Sequence, residues 1–239
     1  MGPWQAIILG IVEGLTEYLP VSSTGHLLLT QRLLGIASDP ASKAFAIAIQ
    51  AGAIIAVLGL YRKRVAEMAR GLVGKSRDGL RLVFHLAIAF IPAAVVGLLF
   101  DKTIEARLFG VPPVAGAWIV GGLLILVISR SPKAQPGHPG RAIESLTPMM
   151  ALAIGLAQCL ALWPGTSRSL VTILAAVLVG MTLEAAVEFS FLLGVLTLGA
   201  ATSYEALKAG PVMLHAYGPL AIILGVGFAW ISAVIAVRW

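Results

Sequence analysis

Five runs of almost uninterrupted apolar residues, Phe45 to Leu60, Leu82 to Phe100, Val114 to Ile128, Ala185 to Leu207 and Leu220 to Val237, set the terms for any fold this chain can adopt. A helix needs about 20 apolar residues to cross a bilayer, and with their flanks these runs approach that length. Within the hydrocarbon, each backbone N–H and C=O must be satisfied inside the protein, which leaves helices as the solution for segments of this kind. Composition agrees: of 239 residues, 59% are hydrophobic and 12% charged, with a mean hydropathy of +0.95. Water-soluble domains carry roughly twice that charge. The fold class is therefore an all-α polytopic membrane protein, in a single membrane domain over residues 1–239.

The net charge of +6 does not point to nucleic acid, because the basic residues gather in loops beside apolar spans and no aromatic-basic stripe is present. The single cysteine, Cys159, lies in the apolar run "AIGLAQCLALW", which excludes an internal disulfide and a thiolate metal site. The N-terminal "MGPWQAIILGIVEG" has neither the charged region and cleavage site of a signal peptide nor a myristoylation pattern, so no processing is expected there.

Two further apolar segments are too short in each half to cross comfortably. Trp4 to Tyr18 is followed, after "LPVSSTG", by His26 to Ile36; Met149 to Trp163 is followed, after "PGTSR", by Ser169 to Met181. Each pair reads as a re-entrant helix-break-helix hairpin, tolerated only where protein or a cavity covers the break. The two hairpins align as copies: Pro20 falls on Pro164, Ser23 on Ser167 and Phe45 on Phe189 in one register, and Glu13 on Gln158 and Gly35 on Gly180 one residue away. This gives a first repeat over residues 1–130, a cytoplasmic linker over 131–145 and a second repeat over 146–239. The loop from Tyr61 to Arg81 carries Arg62, Lys63, Arg64, Arg70, Lys75, Arg77 and Arg81 against Glu67 and Asp78, which marks it cytoplasmic. Arg130, Lys133 and Arg141 return to the same side. A hairpin plus three spans is an odd number of crossings, so the repeats are expected to be inverted, with a shared site near the midplane. Val114 to Ile128 has no counterpart before the chain stops, so the last helix of the second repeat is expected to be absent, with Trp239 in the cytoplasm and a homodimer as one way to cover the vacated groove.

Polar residues concentrate at the two breaks. Charged side chains within a bilayer cost about 2.5–3.5 kcal/mol each on insertion scales, so such a cluster implies use. In "EGLTEYLPVSSTGH" the first hairpin offers Glu13, Glu17, Ser22, Ser23, Thr24 and His26; the second offers Gly165, Thr166, Ser167, Arg168 and Ser169. Glu13 and Glu17, four apart on one helix face, suit a divalent cation such as Mg2+ or Ca2+. Ser23 needs a base to become a nucleophile, and His26 is the nearest candidate in sequence. A Pro-Gly break before "TSRS" aims backbone donors at an anion, and the Arg168 fork matches phosphate oxygens. Metal, nucleophile, proton carrier and cation are together the parts of phosphoryl transfer. Taken singly, each has a plainer role: Ser22, Ser23 and Thr24 as helix caps, His26 as a structural histidine, Arg168 snorkelling to the interface. His85 is placed near the cytoplasmic end of its span, Gln50 as a packing hydrogen bonder, and Glu184 and Glu188 as interface caps.

"EGLTEYLPVSSTGHLLL" and "LWPGTSRSLVTI" resemble the two signature motifs of the undecaprenyl-pyrophosphate phosphatase family, the bacitracin-resistance proteins. "FAIAIQAGAIIAV", "FIPAAVVGLLF" and "EFSFLLGV" follow in the family's order, so the resemblance covers nearly the whole chain. It implies hydrolysis of the C55 polyprenyl pyrophosphate to the monophosphate, a divalent metal, a site opening to the outer face of the bacterial cytoplasmic membrane, and functional roles for Glu13, Glu17, Ser23, His26 and Arg168. Two departures stand out. Leu170 and Val171 replace the small residues of the family's "SRSGAT", and the family ordinarily has one more C-terminal helix. A lipid flippase or transporter is the competing class, because inverted repeats with broken helices are common in transporters. The topology has a direct test: Ser76→Cys should resist labelling by an impermeant thiol reagent in intact cells, and labelling there would invert the assignment.

Overall fold

The computed structural model describes residues 1–108, 110–132, 135 and 137–238; Lys133 and Trp239, both placed by sequence at the cytoplasmic face, lie outside them. The described residues form helices α1 (Pro3–Thr16), α2 (Ser23–Leu33), α3 (Pro40–Ala48), α4 (Gln50–Leu60), α5 (Arg62–Leu72), α6 (Arg77–Leu108), α7 (Val111–Ile128), α8 (Pro148–Gln158), α9 (Arg168–Leu178) and α10 (Leu183–Arg238). No strand occurs among them beyond one isolated bridge between Arg141 and Met181. Four stretches, Pro40–Leu60, Arg77–Ile104, Val111–Ile128 and Leu183–Arg238, are long and apolar enough to cross a membrane. The protein is an all-α polytopic membrane protein, and Leu98, Leu99, Val127 and Leu207 lie largely exposed along its long helices, as residues facing lipid would.

Element boundaries differ from the sequence expectation in three places. Tyr61 to Arg81, read as a loop, folds as α5 and the first turn of α6. Its Arg, Lys, Ala, Glu and Met residues are strong helix formers, and Val65 and Met68 give it an apolar side packed on the core. The Phe45 to Leu60 span starts earlier, at Pro40, where Asp39 caps the helix by accepting from the Ser42 amide at 2.7 Å, and it divides at Ile49 into α3 and α4. The last two spans are one run, α10, broken only where Gly218 leaves helical geometry (φ 71°, ψ 165°) just before Pro219. Pro219 lacks the amide that a continuous helix would need.

The chain forms two compact units. The first comprises Met1–Leu60 and Val195–Trp239. Its core gathers Leu9, Leu27, Phe45, Ile49 and Met213, with Phe45 edge-on to Tyr217 at 5.8 Å. Glycines let backbones touch: a Cβ on Gly10 would lie 2.3 Å from the Gly225 carbonyl oxygen, on Gly14 2.2 Å from that of Ala229, and on Gly52 2.2 Å from that of Val226. The last part of α10 is thereby clamped against α1 and α4, the small-residue packing that membrane helices use where burial from water contributes nothing.

The second unit is Tyr61–Gly194. α8 crosses α6 so closely that a Cβ on Gly155 would meet the Ala89 carbonyl oxygen at 2.5 Å, around a core of Leu86, Ala89, Leu146, Ile154, Phe189 and Leu193. Arg64 on α5 pairs with Glu188 on α10 (2.7 Å), Glu144 (2.9 Å) and Glu67 (3.2 Å). Glu188 thus serves an ion network in place of the expected capping role, and its hydrogen bond to Arg64, with Glu144 adding to it, strengthens that guanidinium's hold on its proton. Behind this network His85 is buried near Arg81, which is anchored on the Leu146 carbonyl at 3.0 Å. Gly14→Ala should lower the detergent melting temperature by the equivalent of about 1–3 kcal/mol, the usual cost of overpacking. Gly59→Ala, whose added methyl meets nothing within 4 Å, should not.

Candidate active site

The first hairpin places its polar residues by ending α1 early. Thr16 closes the helix, Glu17 continues in helical geometry with its amide on the Glu13 carbonyl at 2.9 Å, and the chain turns through Pro20 to re-enter helix at Ser23. Glu13 (0% exposed) and Glu17 (7%) therefore sit one turn apart in the interior. Ser22, at the N-cap of α2, has φ +66° and ψ 102°, the one positive φ at a non-glycine residue among those described. Such strain persists only where the surroundings enforce it, and it concentrates at functional sites.

That turn delivers the Ser23 hydroxyl to Glu17, to which it donates a short hydrogen bond. The sequence had made His26 the partner of Ser23; the geometry gives the hydroxyl to Glu17, because re-entry at Ser23 points this side chain back at the end of α1. His26 instead holds the Ser22 carbonyl through Nδ1 at 2.8 Å. A carbonyl only accepts, so Nδ1 carries the proton and the basic lone pair of the neutral ring lies on Nε2. Ser22 and Ser23 are buried with the two glutamates, whereas Thr24 is exposed on the outer side of α2.

The second hairpin ends α8 in a 3-10 turn, Cys159–Leu162, and then passes Trp163, whose indole donates to the Pro113 carbonyl at 3.2 Å. Gly165 follows at φ +97°, where a Cβ would also lie 2.8 Å from the Val114 carbonyl oxygen, so both conformation and space require glycine. Ser167 caps α9 by accepting from the Leu170 amide at 3.2 Å, and its hydroxyl pairs with that of Ser169 at 2.9 Å. Both serines are buried and Thr166 is half-buried. Arg168, the first residue of α9, extends to α10, where one terminal nitrogen donates to the Ser190 carbonyl at 2.9 Å. Thr172 ties the same place together, donating to the Arg168 carbonyl at 2.8 Å and lying 2.6 Å from the Ser190 hydroxyl. Ser190 and Thr172 were not singled out by sequence; Thr172 sits one turn after Arg168 on α9, which is the signal that could have found it. The bulky Leu170 is buried and packs toward α7, where a Cβ on Gly121 would be in ordinary van der Waals contact with its methyl at 3.6 Å.

The family model described as bacitracin resistance protein BacA matches residues 6–239. The chain belongs to that family. Among relatives, it is 49% identical to the undecaprenyl-diphosphatase of Sorangium cellulosum over 98% of this chain and 77% of that protein. It is 46% identical to those of Methylococcus capsulatus and Neisseria gonorrhoeae, over 98% of this chain and 84% of each relative. Glu13, Glu17, Ser23, His26 and Arg168 all lie within the matched region.

Glu13 and Glu17 fit a hard divalent cation, being buried carboxylates one turn apart on one helix. No group of three or more His, Cys, Asp or Glu converges among the described residues, so a cation there would complete its shell with phosphate oxygens or water, the habit of Mg2+. Gly165→Ala should lower both turnover and melting temperature, the latter by about 1–3 kcal/mol equivalent, since it strains the backbone that starts α9. A thermal scan beside a phosphate-release assay checks both.

Proposed function

We propose that this chain is a phosphatase of polyprenyl pyrophosphates, acting on an undecaprenyl-class lipid in the bacterial cytoplasmic membrane and releasing the monophosphate and inorganic phosphate. The observation that carries this reading is the buried Ser23 hydroxyl donated to Glu17, an acceptor in position to take its proton. The names of the relatives, all undecaprenyl-diphosphatases, support an enzyme over a flippase.

In this mechanism Glu17 accepts the proton as Ser23 Oγ bonds to the terminal phosphorus, and the bond from that phosphorus to the bridging oxygen breaks. The electron pair leaves with the lipid monophosphate. Water then bonds to the phosphorus of the phosphoserine, giving a proton to His26 Nε2, and the bond from phosphorus to Ser23 Oγ breaks as Glu17 returns its proton to the serine oxygen; His26 passes its proton to the departing phosphate or to solvent. Arg168 offsets charge on the equatorial oxygens, where a planar fork is matched to phosphate. A divalent cation held by Glu13 and Glu17 would supply further neutralisation of the pyrophosphate charge. Ser22 of the first hairpin and Gly165, Thr166, Ser167 and Ser169 of the second are assigned to phosphate binding in this proposal.

The inverted repeat belongs to the same proposal. Supporting it, Gly35 and Gly180 both end a short helix with positive φ (66° and 96°), and the aligned Phe45 and Phe189 are each fully buried. In this proposal the site opens to the outer face of the membrane, the basic residues between Arg62 and Arg81 marking the cytoplasmic side.

The test is phosphate release from farnesyl and C55 pyrophosphates in detergent, with and without a chelator. Glu17→Gln and Arg168→Ala should each lower turnover about 10²-fold or more, as losing one preorganised charge contact does elsewhere. Near-wild-type turnover in either variant sinks its assignment, and lipid movement without phosphate release would return the flippase. Rapid quenching with labelled substrate should trap an acid-stable adduct at Ser23. An acid-labile adduct would move the nucleophile to His26, and no adduct with a fully active Ser23→Ala would leave direct attack by water.

A further inference from the structure

The motif "EFSFLLGV" is quoted above only for its place in the chain, yet it contains the surface on which Arg168 rests. Ser190 supplies a carbonyl to the guanidinium at 2.9 Å, and one turn later Gly194 supplies an absence. A Cβ built on Gly194 would stand 2.5 Å and 2.6 Å from the two terminal nitrogens of Arg168 and 2.7 Å from the carbon between them. The guanidinium therefore lies flat against bare helix backbone at residue 194, in space that any side chain would fill. Gly194 is mid-helix, with no positive φ and no turn to explain it. Glycine there forfeits helix stability relative to alanine, so its presence asks for a reason.

We propose that Gly194 is a positioning residue for the phosphate-binding arginine: its missing side chain forms the floor of a seat, closed at one end by the Ser190 carbonyl, that holds the Arg168 fork in one orientation. This rests on the reading of Arg168 as the cation that meets the pyrophosphate. A fork aimed at planar pairs of phosphate oxygens acts by direction as well as charge, and a displacement of about 1 Å can cost as much as 10²-fold in rate. The clash that alanine would create is with the far end of a flexible side chain rather than with backbone. Gly194→Ala therefore swings the guanidinium aside and leaves the helix intact, separating activity from stability, which a merely structural glycine would not do.

The experiment measures melting temperature and kcat/KM for phosphate release from farnesyl pyrophosphate in Gly194→Ala, Arg168→Ala and the double variant. Gly199→Ala is the control, a glycine of the same helix whose Cβ would meet nothing within 4 Å. Gly194→Ala should keep or raise the melting temperature while losing about tenfold or more in kcat/KM; Gly199→Ala should keep both. In the Arg168→Ala background the added alanine should raise the melting temperature and cost no further activity. If Gly194→Ala alone fails to fold, recovery in the double variant still identifies Arg168 as the group displaced, and failure in both overturns the proposal. Turnover within twofold of wild type in Gly194→Ala, with Arg168→Ala inactive, overturns it as well and leaves the phosphatase assignment standing. Near-wild-type turnover in Arg168→Ala overturns the role of the arginine itself, and the positioning role of Gly194 with it.

Discussion

A short helix that ends among buried residues leaves backbone groups that must find partners within the protein, and much of this structure answers that one constraint. α1 stops at Thr16 and α8 at Gln158, each followed by a few irregular residues and a second short helix. The broken ends are repaired locally, by the Glu17 amide on the Glu13 carbonyl and by the Ser167 cap. Once the chain is obliged to gather donors and acceptors in these places, the same groups are already buried, oriented and dry. Chemistry at such a break needs only a few substitutions among residues that must be polar anyway.

Burial without water to drive it requires close contact, and glycine provides that in both units. Gly10, Gly14 and Gly52 let the end of α10 lie on α1 and α4, and Gly155 lets α8 lie on α6. The consequence reaches the candidate site, because Gly14 neighbours Glu13 and precedes Glu17 by less than a turn. The packing that fixes α1 therefore also fixes where its two carboxylates stand.

Much of this was legible in the amino-acid order, for identifiable reasons. Apolar run length placed the spanning helices, and the density of Glu, Ser, His and Arg at Pro20 and Pro164 placed the two hairpin breaks. Helix periodicity put Glu13 and Glu17 on one face. What could not be read was direction: whether Ser23 turns to His26, three residues on, or back to Glu17 depends on the φ of Ser22, which no pattern announces. Nor does a sequence show that a mid-helix Gly194 faces an arginine, or that Glu188 would find Arg64, since both contacts join segments far apart in the chain. In the basic stretch after Leu60 charge excess and helix-forming composition coincide, so charge alone does not distinguish a loop from α5.

The Arg64 network has an evolutionary corollary. One guanidinium answers three carboxylates contributed by α5, the linker and α10. Any single acid can be lost with two remaining contacts to hold the arginine, whereas loss of the arginine would leave three negative charges facing one another. Tolerance to random change is thus lopsided: positions 67, 144 and 188 can drift one at a time, each change masked by the others, while position 64 is held by all three. A change at position 64 is therefore felt by all three acids at once, whereas a change at one acid leaves two contacts in place.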